Sequence, residues 1–92
     1  MIVRILGEGQ LHVDDSAADE LEELDKRLEV AVERQDEPGF GPALGELVSR
    51  VRSIGTPVDP STLEPSDLII PGEGATMAEV HKLLTDEGLI PG

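Results

Sequence analysis

The chain has 92 residues, enough for one small domain, and its 7 Lys+Arg against 20 Asp+Glu leave a net charge of −13. Cysteine, tryptophan and tyrosine are missing and Phe40 is the sole aromatic residue, which excludes disulfides and thiolate metal sites. A surface this acidic repels phosphate backbones and anionic headgroups, so nucleic acid and direct electrostatic membrane docking are disfavoured and a basic protein partner is allowed. Taken alone, the charge speaks more for solubility or adaptation to a salty cytoplasm than for any binding role.

The opening Met1-Ile2-Val3-Arg4-Ile5-Leu6-Gly7-Glu8 alternates and then turns, unlike a signal peptide, and no apolar run approaches the ~20 residues of a membrane span. The expected location is therefore the cytoplasm. Residues 2–6, β-branched and apolar, predict a strand, and the pattern resumes at Leu11-His12-Val13 after Gly7-Glu8-Gly9-Gln10. Two glycines able to take positive φ predict a hairpin with a four-residue loop. Arg4 and His12 would lie on its solvated face. Gly7-Glu8-Gly9 is no dinucleotide fingerprint, because a third glycine and a following helix are missing and Glu8 repels phosphate.

Asp14-Asp15-Ser16 supplies helix caps, and Ala17, Leu21, Leu24, Leu28, Ala31 and Val32 recur at three-four spacing, which predicts an amphipathic helix over roughly 16–35. Asp36 to Pro42 interrupts the pattern. Pro38 suits the first turn of a second helix capped by Asp36, but Pro42 does not suit a deeper position, so that helix is expected from about Pro42. Its stripe is Ala43, Leu44, Leu47, Val48, Val51 and Ile54, with Gly55 as the stop and Pro57 preventing resumption. The two stripes predict an antiparallel helical hairpin. Residues 56–65 read as a proline-stiffened connector, Asp67-Leu68-Ile69-Ile70 as a short strand between prolines, and Thr76 with Glu79 as a capping box for a last helix from Met77 to about Leu84. Leu89 and Ile90 suggest a tail docked on the domain or on a partner. The expected fold is a single α+β domain over residues 1–92: a small antiparallel sheet, made of the N-terminal hairpin and a short third strand, packed with the helical hairpin and a short C-terminal helix. The third strand could pair with either arm of the hairpin.

No catalytic or metal-binding constellation emerges. His12 and His81 read as surface histidines without metal-ligand spacing, and Ser16, Ser49 and Ser66 sit in no nucleophile motif. Asp14, Asp15, Asp19, Glu20, Glu22, Glu23 and Asp25 form an acidic cluster without a compensating base, but it lacks the ligand order of a calcium loop. A solvated helix face is the plain account of it, and a docking strip for a basic helix is the sharper one.

Three stretches together resemble one family: Met1-Ile2-Val3-Arg4-Ile5-Leu6-Gly7-Glu8-Gly9-Gln10, Pro65-Ser66-Asp67-Leu68-Ile69-Ile70-Pro71, and Glu87-Gly88-Leu89-Ile90-Pro91-Gly92. In this order they look like the PspA-associated (PspAA) domain family, across essentially the whole chain. The segment Glu37 to Pro42 is richer in helix breakers than that family leads one to expect. The resemblance implies an accessory protein of bacterial and archaeal envelope-stress systems, encoded beside a phage-shock-protein-A homologue, which is a coiled-coil protein that assembles on stressed membranes. It implies a stress-response adaptor or regulator without enzymatic activity or cofactor, bound to the PspA-type protein and reaching the membrane only through it. Asp19, Glu22, Glu23 and Asp25 are the expected docking strip, and Leu68, Ile69, Ile70, Leu89 and Ile90 the structural or interface anchors. Charge reversal at Glu22, Glu23 and Asp25 is expected to weaken partner binding without unfolding the domain. The rival reading is a self-associating homodimer that acts as a scaffold.

Overall fold

A computed structural model describes residues 1–62 and 64–85. Strands β1 (Ile2–Ile5) and β2 (Gly9–His12) form the hairpin, a 3₁₀ turn over Asp15–Ala17 leads into α1 (Ala18–Glu33), and α2 (Glu37–Ile54) returns along it. Then come β3 (Thr56–Pro57), β4 (Leu68–Ile70) and α3 (Met77–Thr85). The fold is α+β, with the two long helices packed as a hairpin against the sheet.

The hairpin loop is Leu6–Glu8, one residue shorter than expected. Glu8 N–H donates to the Ile5 carbonyl at 2.9 Å, and Gly7, at φ 86°, supplies the positive dihedral that the turn requires. Gly9 then pairs with Ile5 as part of β2.

The sheet is four-stranded in the order β3-β2-β1-β4, and it is mixed rather than wholly antiparallel. Of the two hairpin arms, β1 receives β4, in parallel, with Val3 opposite Leu68, Arg4 opposite Ile69 and Ile5 opposite Ile70. The cause is the route of the chain. β3 lies on one edge and β4 on the other, so residues 58–67 must cross the sheet before β4 begins. Helices occupy one face, and the connector takes the opposite face. There Gln10 Nε2 donates to the Glu64 carbonyl at 2.7 Å and to Ser66 Oγ at 2.9 Å. Ile2 N–H donates to Asp67 Oδ2 at 2.7 Å, and Asp67 N–H returns to the Ile2 carbonyl at 2.8 Å, which sets the start of β4.

On the helix side the core joins Val3, Ile5 and Ile70 to Leu21, Leu24, Leu28 and Val32 of α1 and to Phe40, Leu44, Leu47, Val48 and Val51 of α2. Alternation along β1 sends Ile2 and Arg4 to the other face. Ile2 is buried there, outside the main cluster.

α2 starts five residues before Pro42, at Glu37. Asp36 caps it, accepting the Gly39 N–H at 3.1 Å, and Pro38 in the first turn has no intrahelical bond to lose. Pro42 inside a helix costs about 3 kcal/mol, but extending the helix buries Phe40, worth about 1.5–3 kcal/mol, and a side-chain cap adds about 1. Gly55 does end the helix, though for another reason than expected. Its backbone is extended, at φ −88° and ψ 154°, and a Cβ would lie 2.9 Å from that of Leu11, so close packing against β2 is what requires glycine. The capping box of α3 forms as read: Glu79 N–H donates to Thr76 Oγ1 at 3.1 Å and Thr76 N–H to Glu79 Oε1 at 3.3 Å.

Candidate functional site

The two flanks of α1 differ in how their charge is met. On the flank beside α2, Glu20 Oε2 lies 2.7 Å from Arg50 Nε, and Arg27 Nη1 lies 3.6 Å from Glu46 Oε1. Carboxylates there face cations across the helical hairpin. Residues 19, 22, 25, 29 and 33 follow one another at steps of three and four, so Asp19, Glu22, Asp25, Glu29 and Glu33 form a row along the other flank. None of the five has an ion pair or side-chain hydrogen bond among the described residues. Lys26, though adjacent in sequence, pairs with none of them.

Asp25 is the half-buried member of this row. Its carboxyl is pushed above the usual value chiefly by burial, and secondarily by the negative charges of Glu29 and Glu22. A cation placed beside Asp25 would offset both causes. The structure thus brings together Asp19, Glu22 and Asp25 from the expected strip. Glu23 is exposed but stands two residues from Asp25, on the far side of the helix. Glu29 and Glu33 belong to the row and were not anticipated, although the same spacing continued through them.

The proposed anchors separate by strand alternation. Ile70 is fully buried and Leu68 packs against the core, so both hold β4 to the helices. Ile69 is half-buried on the opposite face, beside Arg4. Leu89 and Ile90 lie outside the described residues.

At the far side of the molecule Arg52 joins α2 to two loops, pairing with Glu8 of the hairpin turn and with Glu73 at 2.6 Å. The hydrogen bond from Arg52 holds the Glu8 carboxyl below the usual range. His12 and His81 are both exposed. Among the described residues no group of three His, Asp or Glu is placed to hold a metal ion, and no helix is long and apolar enough to cross a membrane.

The sequence model of one family, described as PspA-Associated protein, matches residues 1–92, the whole chain. The chain therefore belongs to the PspA-associated family. No curated protein and no solved structure gives a significant match.

Proposed function

We propose that this member of the PspA-associated family is a non-enzymatic adaptor that binds a PspA-type coiled-coil protein in the envelope-stress response. Its docking strip is the unpaired acidic row of α1, and its place is the cytoplasm, with the membrane reached only through the partner. The family's name, which indicates association with PspA, supports the choice of partner. The observation that carries the choice of surface is the contrast between the two flanks of α1. Glu20 and Glu46 meet arginines across the helical hairpin on one flank, while Glu22, Asp25 and Glu29 have no ion pair among the described residues. A coiled coil offering a basic stripe would relieve that repulsion on contact.

The test is calorimetric titration of the purified PspA-type protein with the wild-type chain, with Glu22→Lys/Glu29→Lys, and with Glu23→Lys. All of these positions are exposed, so the fold should survive each change. The double reversal should weaken binding by about tenfold or more at low salt, as expected for losing charge pairs across an interface, while Glu23→Lys has a smaller effect. Equal affinities for all three would show that the row is not the docking surface. A bare homodimer that ignores the PspA-type protein would favour the scaffold reading instead.

A further inference from the structure

A groove of about 380 Å³ opens at the C-terminal end of α1, where α3 packs against that helix and α2 begins. Val32, Met77 and Ala78 supply its apolar lining, and Gln35, Glu37 and His81 its polar rim. Val32 is buried in the core and Met77 is half-buried against it, while Ala78 is exposed.

This groove continues the acidic row of α1. Glu29 stands three residues before Val32, one turn back on the same side of the helix, and Glu33 follows Val32 directly. Glu37, at the start of α2, adds a carboxylate on the rim. It is exposed and has no ion pair or side-chain hydrogen bond among the described residues. An apolar slot that ends at such a carboxylate suits one type of side chain. Lys and Arg lay an aliphatic stem on apolar surface and keep the charged head at the polar edge. A purely apolar side chain would take water from Glu37 without replacing it. A carboxylate would meet Glu37 in a chain whose net charge is −13.

We infer that the groove seats a Lys or Arg side chain of the PspA-type partner, with the stem against Val32, Met77 and Ala78 and the charged head on Glu37. The inference rests on the reading of α1 as the docking surface and adds an anchor to it. The row from Asp19 to Glu33 gives a basic helix a line about 20 Å long to follow. Exposed carboxylates along that line attract such a helix without fixing its position, whereas a side chain seated in the groove at its end does fix it.

The experiment has two arms. In the first, the purified PspA-type protein is titrated calorimetrically with the wild-type chain, Glu37→Gln, Ala78→Lys and Glu22→Lys/Glu29→Lys. Glu37→Gln should weaken binding about three- to fivefold, the loss of one exposed ion pair. Ala78→Lys fills the groove with a cation of the chain's own and should weaken it about tenfold. If Glu22→Lys/Glu29→Lys weakens binding while both groove variants bind as wild type does, the groove inference is overturned and the docking strip stands. Self-association that Ala78→Lys abolishes would give the groove to a second copy and overturn it too. The second arm needs no partner: a ¹⁵N-NMR titration of the chain with acetyl-arginine-amide and with its neutral isostere acetyl-citrulline-amide. It is run at about 0.15 M salt, where a Debye length of about 8 Å damps diffuse attraction. The arginine amide should shift the amides of Gln35, Glu37, Met77 and Ala78 and bind at least about threefold more tightly than the citrulline amide, a difference that Glu37→Gln removes. Shifts that miss those four amides, or equal binding of the two probes, overturn the inference. Should the PspA-type protein not bind the wild-type chain at all, the adaptor reading falls and the second arm alone decides the groove.

Discussion

The turn between α1 and α2 offers a sharp test of the backbone reasoning. α1 ends in a Schellman arrangement: Asp36 N–H donates to the Ala31 carbonyl at 2.9 Å and Gln35 N–H to the Val32 carbonyl at 3.1 Å. This closure places Gln35 in the left-handed region, at φ 54°, the sole non-glycine residue with positive φ among those described. A side chain there costs about 1–2 kcal/mol, whereas glycine avoids the clash and gives up about 0.5–1 kcal/mol of chain entropy. The Gln35 side chain is exposed and makes no hydrogen bond among the described residues, so removing it forfeits little else. The difference predicts that Gln35→Gly stabilises the domain by about 0.5–1 kcal/mol, equivalent to a rise of about 2–8 °C in Tm for a chain of this size. Far-UV circular dichroism melts of the two proteins in one buffer read this directly. An unchanged or lower Tm would refute the account of the turn.

Two further predictions concern the core and the acidic row. Leu47 is fully buried between the helices and the sheet, so Leu47→Ala should cost about 2–5 kcal/mol. It should lower the urea midpoint at unchanged slope, and a loss below about 1 kcal/mol would contradict the placement of α2. Asp25 has a raised pKa in the fold, so its charged form is penalised there. Stability associated with it is greatest when the group is protonated in both states, and it falls as pH rises from the ordinary value of 3.8 through the raised one. Asp25→Asn should therefore raise Tm at neutral pH, with the gain shrinking to nothing as the buffer is acidified below the ordinary value. A gain that persists in acid would show that charge is not the cause.

Much of the helical architecture could be read from the chain because the cues are local. The three-four spacing of Leu21, Leu24 and Leu28 and the Thr76–Glu79 capping box depend on neighbours within a turn or two. The start of α2 was misplaced because proline rules are local while the burial of Phe40 that favours the longer helix is tertiary. β3 is two residues long and includes a proline, so no periodicity announces it. The parallel direction of β4 leaves no mark in Leu68-Ile69-Ile70, since apolar residues suit either direction, and only the path of the connector decides it. The acidity of α1 was plain, but which carboxylates remain free depends on Arg50 and Arg27–Glu46, pairs that form only across the folded hairpin. Arg4 was expected on a solvated face. It is half-buried because the connector lies over that face, and Gln10, which fastens the connector, reaches residues 54 and 56 positions away.

Amide hydrogen exchange of the chain, alone and saturated with the PspA-type protein, tests the central claim most directly because it reports binding and location together. The account predicts added protection along α1, centred on residues 22–33, with β4 and the α2 side of the hairpin little changed. Protection confined to β4 or to α2, or no change at saturating partner, would contradict it.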